Sequence, residues 1–265
     1  MAYIGLAKPY IAKLVNEETK EYSDCFVAGG AIGMDISPEY NEASLYADNK
    51  LDDYRKDFKR ATVKMNTSRI PIAGANIMFG HEVIDNEVIY RTGDAANYCG
   101  VGFYVTESIK DKGDKYVAII IYKTKFTESQ EGFTTKGDNI EYKTPSVEGV
   151  ASSVGDNIWK RTKVFDTERE AEEWVQTQLG YKKKCSTPVA SVESGKYTDA
   201  QTVTLSAGVG EQIYYTTNGI TPTKDTGTLY DGAIAVTASL AIRAIAVKDD
   251  QVASDEMICE YLIGE

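Results

Sequence analysis

The sequence predicts a mostly β protein in two parts: a larger β domain with one substantial helix, followed by a small all-β sandwich. Runs rich in Val, Ile, Tyr and Phe recur along the chain with turn residues between them, which is typical of strands and hairpins. One stretch, 167–180, instead has the 3.6-residue apolar spacing and end signals of a helix. Residues 186–265 hold 4 basic against 11 acidic side chains, so the composition changes toward the C-terminal end.

The N-terminal part begins with strand-like sequence that is interrupted by glycines. Gly29, Gly30 and Gly33 indicate a bend or a bulge, and they lack the GxGxxG spacing of a nucleotide site. A short helix is expected at about 74–79, and His81, the only histidine, follows it. A single histidine without a partner signature is predicted to be structural or exposed rather than catalytic.

Residues 48–60 are a highly charged stretch between two strand-like runs, 36–47 and 61–68. Hairpin loops are usually about two to five residues long, and longer ones tend to be functional or disordered. Only Leu51, Tyr54 and Phe58 could anchor such a loop to an apolar surface. We therefore predict a long loop that is ordered against another subunit.

The middle of the chain has clear strand and helix patterns. Residues 100–126 predict a hairpin, and further strands are expected at 139–144 and 159–165. Thr167 and Glu170 form the capping-box arrangement at the start of the helix. Its apolar stripe consists of Ala171, Trp174, Val175 and Leu179.

The C-terminal part contains short β-runs at regular spacing, with turn signals such as Asn218-Gly219 between them. A polar segment precedes these runs. We predict a first domain at 1–182, a linker at 183–187 and a second domain at 188–265.

No catalytic or metal-binding motif of useful specificity is present, and we predict neither enzyme activity nor a cofactor. The four cysteines show no CxxC spacing and no neighbouring histidine, which favours reduced thiols in a cytoplasmic fold over a metal site. The net charge of −11 argues against nucleic acid or an anionic membrane as an attractive partner. No secretory signal or spanning helix is found, so we expect folding in the cytoplasm.

Four motifs stand in a fixed order across residues 1–182. They are EYNEASLYADNKL, GVGFYVTESIKDKGDKYVAIIIYKTKF, TKGDNIEYKTPSVEG and WKRTKVFDTEREAEEWV, at 39–51, 100–126, 135–149 and 159–175. Taken together, these motifs resemble the major tail protein, the tail tube subunit, of siphophages that infect Gram-positive bacteria. The likeness rests on their order and spacing, because no single motif is diagnostic.

The C-terminal motifs carry a second likeness. The segments GKYTDAQTVTLSA, IYYTTNGITPT, LYDGAIAVTASLAIRAIAV and EYLI resemble an immunoglobulin-like module that is also found at the C-terminus of chitobiases. The module occurs on many unrelated proteins, so it implies little about a ligand.

The tail-protein resemblance implies a tail-tube β-sandwich or barrel with a flanking helix. Six subunits would form a ring, rings would stack into the phage tail, and the immunoglobulin-like domain would decorate the outside. The implied partners are copies of the chain itself and the tape measure, tail terminator and distal tail proteins, with DNA only as passing cargo and no membrane. The protein would be assembled in the host bacterial cytoplasm and reside in the virion.

The resemblance also assigns roles to residues. The long hairpin loop of the family contacts the neighbouring ring, which predicts inter-ring contacts from Asp48, Lys50, Asp52, Asp53, Arg55, Lys56 and Asp57. Leu51, Tyr54 and Phe58 would anchor this loop. On the candidate inner strands, the acidic residues expected to face the lumen are Glu39, Glu42 and Glu141.

Alternatives remain open at this point. A contractile-tail tube or a phage-derived particle would use a similar ring. A carbohydrate- or surface-binding protein acting through the C-terminal domain is the second hypothesis, because Tyr197, Tyr214, Tyr215 and Tyr230 could stack on sugars. These tyrosines could equally fill the sandwich core. A hydrolase ranks last, since the chitobiase likeness covers a non-catalytic module.

Overall fold

The computed structural model describes residues 2–47, 50–109, 113–128 and 144–264. It divides into two compact units, Met1–Tyr181 and Lys182–Glu265. The described residues are mostly strand and contain two helices, which confirms the predicted fold class.

The N-terminal unit is built on one eight-stranded antiparallel sheet. In chain order its elements are β1 (Ala2–Asn16), β2 (Glu21–Val27), β3 (Ala31–Ala47), β4 (Lys50–Thr67), α1 (Ile72–Phe79), β5 (Glu82–Ile84), β6 (Glu87–Ile89), β7 (Tyr98–Ile109), β8 (Gly113–Thr127), β9 (Ser146–Ser152), β10 (Lys160–Phe165) and α2 (Glu168–Gln178). The strand order is β2-β1-β7-β8-β9-β4-β3, and β5 and β6 form a separate small hairpin. Along one edge of β8, residues 116–121 pair with β10 and residues 123–127 pair with β9.

Successive side chains of β7 and β8 point to opposite faces of the sheet, so each face carries an apolar core. We call these the β core and the helix core. The β core includes Ile11, Val63, Met65, Met78, Val101, Phe103, Ile121, Phe126 and Val147. The helix core includes Tyr10, Tyr104, Ile120, Tyr122, Val175 and Leu179. Each fully buried aliphatic side chain contributes about 1.5–3 kcal/mol of transfer free energy, so both cores stabilise the unit.

Helix α2 is positioned by its N-cap, its apolar stripe and the two glycines below it, Gly100 and Gly102. The Thr167 Oγ1 accepts from the backbone N–H of Glu170 at 3.3 Å, as predicted for the capping box. Leu179 packs against Gly102 of β7, where an added Cβ would lie 2.7 Å from Val175 Cγ1. The helix can approach the sheet this closely because glycine has no side chain at that position.

Tyrosine hydroxyls of the sheet also bond to carboxylates of α2. Tyr10 donates to Glu172 at 2.6 Å, and Tyr104 donates to Glu168 at 2.7 Å. The Lys8 Nζ lies 2.7 Å from the same Glu172. These partly buried hydrogen bonds to charged acceptors fix the helix along its length.

The predicted loop at 48–60 is wrong over its described residues, because residues 50–60 belong to strand β4. They pair in antiparallel register with β3, for example Glu42 opposite Lys56 and Tyr40 opposite Phe58. Opposite charges and aromatic pairs across the two strands stabilise an extended pairing that a hydrophobic pattern does not reveal. The strand predicted at 139–144 falls almost wholly outside the described residues.

The C-terminal unit is a small β-sandwich. Its strands are β11 (Val189–Ala190), β12 (Gly195–Tyr197), β13 (Gln201–Val203), β14 (Leu205–Ser206), β15 (Gln212–Thr216), β16 (Thr228–Leu229), β17 (Ile234–Val236), β18 (Leu240–Val247) and β19 (Met257–Ile263). A five-stranded sheet has the order β12-β19-β18-β15-β16, and the pairs β11–β14 and β13–β17 supply the rest. Val203, Val236, Ile242 and Tyr261 lie at the centre of its core.

The residues predicted as a linker, 183–187, lie inside this second unit. Cys185 is buried, and its backbone N–H donates to the Val252 carbonyl at 2.8 Å. The Val252 N–H in turn donates to the Lys183 carbonyl at 3.0 Å. The polar sequence of this segment gave no sign of backbone pairing with a distant part of the chain.

Removing one buried side chain of α2 should destabilise the N-terminal unit alone. Leu179→Ala leaves a cavity at a fully buried position, and we expect the free energy of unfolding to fall by about 2–5 kcal/mol. Both tryptophans, Trp159 and Trp174, lie in this unit, so tryptophan fluorescence during urea unfolding measures it selectively. Glu173→Ala on the exposed side of α2 is the control and should change stability by at most about 0.5 kcal/mol. Equal effects of the two substitutions would contradict this packing.

Candidate functional site

The outer parts of β3 and β4 form a two-stranded ribbon, residues 39–47 and 50–60, which we call the hairpin arm. Strand β9 pairs only with residues 61–66 of β4, so beyond Ala61 the described residues give β4 no neighbour except β3. At about 3.4 Å per residue, the arm is roughly 35 Å long.

One face of the arm, the tyrosine face, carries Tyr40, Glu42, Tyr46, Tyr54, Lys56 and Phe58. At the base, Phe58 stacks on Trp159 with ring centroids 4.7 Å apart, and its ring meets Tyr40 edge-on at 6.3 Å. Farther out, Tyr54 is 48% exposed and Tyr46 is 68% exposed. The tyrosine face is therefore fixed to the domain at one end and uncovered at the other.

Charges on the arm are paired across its strands. The Lys56 Nζ lies 3.0 Å from Glu42 and 4.5 Å from the centre of the Tyr40 ring. Arg60 Nε donates to Glu39 at 2.8 Å. Hydrogen bonds from Lys56 and Tyr54, with the Lys56 charge, hold the pKa of the Glu42 carboxyl below its usual value. These pairs set the register of the two strands.

The structure places the predicted site residues as follows. Lys50, Asp52, Asp53, Arg55, Lys56 and Asp57 lie exposed on the arm, and Asp48 lies outside the described residues. Among the predicted anchors, Phe58 packs against the domain core, whereas the Tyr54 side chain is half exposed, and an anchoring role for Tyr54 stays a prediction. The side chain of Leu51 is not among those described.

Two of the three acidic residues expected to face a lumen form ion pairs with basic residues. Glu39 and Glu42 are ion-paired with Arg60 and Lys56, so neither carries an unbalanced negative charge. Glu141 lies outside the described residues. A lumen-facing role for these three residues stays a prediction.

The described part of the chain gives such an arm little support. Isolated two-stranded hairpins are at best marginally stable in water, and stable ones need a further strand or an apolar surface. Both backbone edges of the arm are open within the described structure, and open edges are templates for pairing with another chain. The arm is accordingly the strongest candidate for a contact surface.

A second feature lies at the opposite end of β4. A cavity of about 710 Å³, the β4-end cavity, is lined chiefly by Arg69, Ile70, Ile72, Phe79, Val88 and Tyr90. Its lining is mainly apolar, with charged groups at Arg69, His81 and Glu128. The volume is within the range of about 300–1,000 Å³ that is typical of ligand pockets.

His81 is buried beside this cavity between two carboxylates. Its Nδ1 lies 2.6 Å from Asp94 Oδ2, and its Nε2 is hydrogen-bonded to Glu128 Oε1. The Tyr90 ring lies over the imidazole, with centroids 4.4 Å apart. Because both ring nitrogens face acceptors, both must donate, which is the hydrogen-bonding pattern of the charged imidazolium.

We call His81 and its two carboxylate partners the His81 clamp. The sequence does not reveal this clamp, because Asp94 and Glu128 are 13 and 47 residues away from His81. Burial opposes the charge on His81, but the hydrogen bonds to Asp94 and Glu128 outweigh it and raise the pKa of the imidazole. The clamp joins the end of α1, the segment after β6 and the end of β8. It thus ties the β5–β6 region to the main sheet.

This clamp makes the stability of the N-terminal unit depend on pH. A raised pKa in the folded state means that the contribution is complete below the unfolded value of about 6.5 and is lost as the pH rises through the folded value. We expect His81→Gln to cost most stability at about pH 5.5–6.5 and progressively less above it. Urea unfolding followed by tryptophan fluorescence, from pH 5.5 to pH values above the folded pKa of His81, measures the difference in stability.

The groups around His81 define the control for this experiment. Asp94, Glu128 and Tyr90 face the ring, and an Arg91–Glu82 ion pair lies next to them. Glu128→Gln removes one charged acceptor and should shift the loss of stability to lower pH. A difference between wild type and His81→Gln that is constant with pH would contradict the imidazolium assignment.

The tyrosines proposed for sugar stacking are mostly covered. Tyr214 is buried, and Tyr197, Tyr215 and Tyr230 pack against the core of the C-terminal unit. The Tyr230 hydroxyl also accepts from the Leu205 N–H at 3.0 Å. These contacts favour the core role for the four side chains.

Comparison with known proteins adds one finding. The family model for the chitobiase/beta-hexosaminidase C-terminal domain matches residues 192–258, about a quarter of the chain. The C-terminal unit is an immunoglobulin-like domain of this type. No curated protein matches the chain. Neither helix of the described structure is long and apolar enough to cross a membrane.

Proposed function

We propose that this chain is a structural virion protein, the major tail tube subunit of a siphophage. Subunits assemble into hexameric rings, and the rings stack into the conduit for DNA ejection. The observation that carries this proposal is the hairpin arm, which extends beyond its own domain with exposed tyrosines and open edges. The motif resemblance over residues 1–182 supplies the family in which such an arm has a role.

Assembly would stabilise the arm by covering its exposed faces. Each face of a ribbon about 35 Å long and 10 Å wide offers roughly 350 Å², so covering both faces buries an area per partner close to that of a standard interface, about 800 Å². A contact between two different surfaces of identical subunits does not close on itself and builds a filament. A tube of stacked rings is one such filament.

The proposed role involves no catalysis and no cofactor. DNA passes through as cargo, and the acidic balance of the chain disfavours retention of phosphates in the conduit. The partners are other copies of the chain and the tape measure, tail terminator and distal tail proteins. The assembled protein resides in the phage tail, and its subunits are made in the host cytoplasm.

Shortening the arm tests the proposal. Replacing residues 42–56 by Asn-Gly joins the paired residues Asn41 and Asp57 through a tight turn and keeps Phe58 stacked on Trp159. We expect a folded, soluble protein that no longer forms tubes in negative-stain electron microscopy.

The matched control keeps the arm at full length. Exchanging the charges of the exposed Arg169–Glu173 pair of α2, with Arg169→Glu and Glu173→Arg together, preserves an ion pair outside the arm and should leave tubes intact. Normal tubes from the shortened protein would refute an assembly role for the arm. Failure of the wild-type protein to form rings or tubes at any salt or protein concentration would refute the tail tube function.

A second candidate function is binding of carbohydrate or another surface through the C-terminal domain. The match to the chitobiase/beta-hexosaminidase C-terminal domain favours it, although the candidate tyrosines are packed in the core. In the tail tube proposal this domain is a decoration on the outside of the tube.

Removing the C-terminal domain separates the two candidates. We expect a chain that ends at residue 181 to form the same tubes as the full chain, since its two cores and its arm are intact. Glycan-array binding of both chains is measured in parallel. Glycan binding by a wild-type protein that forms no tubes, lost on truncation, would favour the second candidate.

A further inference from the structure

We propose that the tyrosine face of the hairpin arm docks into the β4-end cavity of a second copy of this chain. The inference rests on the proposed function and names the surface that receives the arm. The tyrosine face supplies Tyr46 and Tyr54, and the cavity supplies the apolar surface around Ile70, Ile72 and Phe79.

The donor side has the chemistry of an interface residue. Tyr46 and Tyr54 are 68% and 48% exposed on the same side of an uncovered ribbon. Tyrosine buries a large apolar ring while its hydroxyl keeps a hydrogen-bond partner, and it is enriched at protein interfaces for this reason. Two such rings side by side are a costly exposed surface unless another molecule covers them.

The receiving side fits this chemistry. The cavity of about 710 Å³ has an apolar lining for aromatic rings, and Arg69 and Glu128 offer polar partners for phenolic hydroxyls. The two surfaces are therefore complementary in polarity.

The positions of the two surfaces exclude contact within one chain and favour an open stack. Tyr54 lies in β4 and Ser68 follows the end of that strand, so at about 3.4 Å per residue Tyr54 and the cavity are separated by roughly 45 Å. A projection at one end of a rigid strand and a pocket at the other end allow identical copies to stack end to end. The repeat along such a stack is then close to the distance between these two surfaces.

Two single-surface variants test this contact. Tyr46→Ala with Tyr54→Ala removes the projection, and Ile72→Asp places a charge in the cavity. Ile72 is the first residue of α1 and is 42% exposed, so an aspartate there favours the helix terminus and should not unfold the protein. Tyr3→Ala removes a similarly exposed tyrosine that belongs neither to the arm nor to the cavity lining, and it is the control. Circular dichroism and thermal melting verify folding of each variant.

We expect both surface variants to remain as single rings, while Tyr3→Ala forms wild-type tubes. An equimolar mixture of the two variants retains one intact arm–cavity pairing, so it should give double rings and no longer tubes by sedimentation velocity and electron microscopy. Tubes from Ile72→Asp that equal those of wild type would overturn the inference and leave the tail tube function standing. Closed wild-type dimers that both variants abolish would support the contact and overturn the tube.

Chemical cross-linking gives a reading that does not depend on loss of assembly. Chains carrying Tyr54→Cys and chains carrying Ile72→Cys are mixed and treated with a short bismaleimide. We expect a cross-linked dimer well above the background of the four native cysteines and of a Tyr3→Cys and Ile72→Cys mixture. An equal yield in both mixtures would overturn the docking site.

Discussion

Burial of the β7–β8 hairpin on both of its faces is the constraint on which the N-terminal unit depends. Phe103 and Ile121 face the β core, while Tyr104 and Ile120 face the helix core. A hairpin covered on both sides needs a layer above and a layer below, which β4 and β9 supply on one side and α2 on the other. The branch at β8, where β10 and β9 divide one edge, lets a single strand serve both layers.

The elements that the sequence predicted well are those held by this burial. The hairpin at 100–126 shows its strands as runs of apolar residues, and α2 shows its stripe and its capping box, because both are determined by contacts with a core. The sequence predicts a loop for the arm because the two strands are held by cross-strand ion pairs and aromatic contacts. Such contacts do not produce the alternating apolar pattern that indicates a strand. The pairing of the arm could be recognised only once the register of Glu42 with Lys56 was known.

Long-range polar contacts could not be predicted from the sequence for a related reason. His81 gains its carboxylates from two other segments, and Cys185 gains its backbone partner from Val252. None of these partners has a fixed spacing from the residue it contacts. The unusual charge of residues 48–60 therefore identifies the arm as a candidate contact surface, but its secondary structure and the cavity at the other end of β4 could be described only from the fold.

The ion pairs of the arm have a consequence during the life of the free subunit. An exposed ribbon with aromatic side chains and two open edges is the type of surface that recruits foreign strands and aggregates. A slip of one residue in its pairing would turn the tyrosines to the opposite face. The Glu42–Lys56 and Glu39–Arg60 pairs oppose such a slip, and the charges along both strands discourage an unrelated edge from joining. The ion pairs thereby protect the exposed arm against mispairing and aggregation.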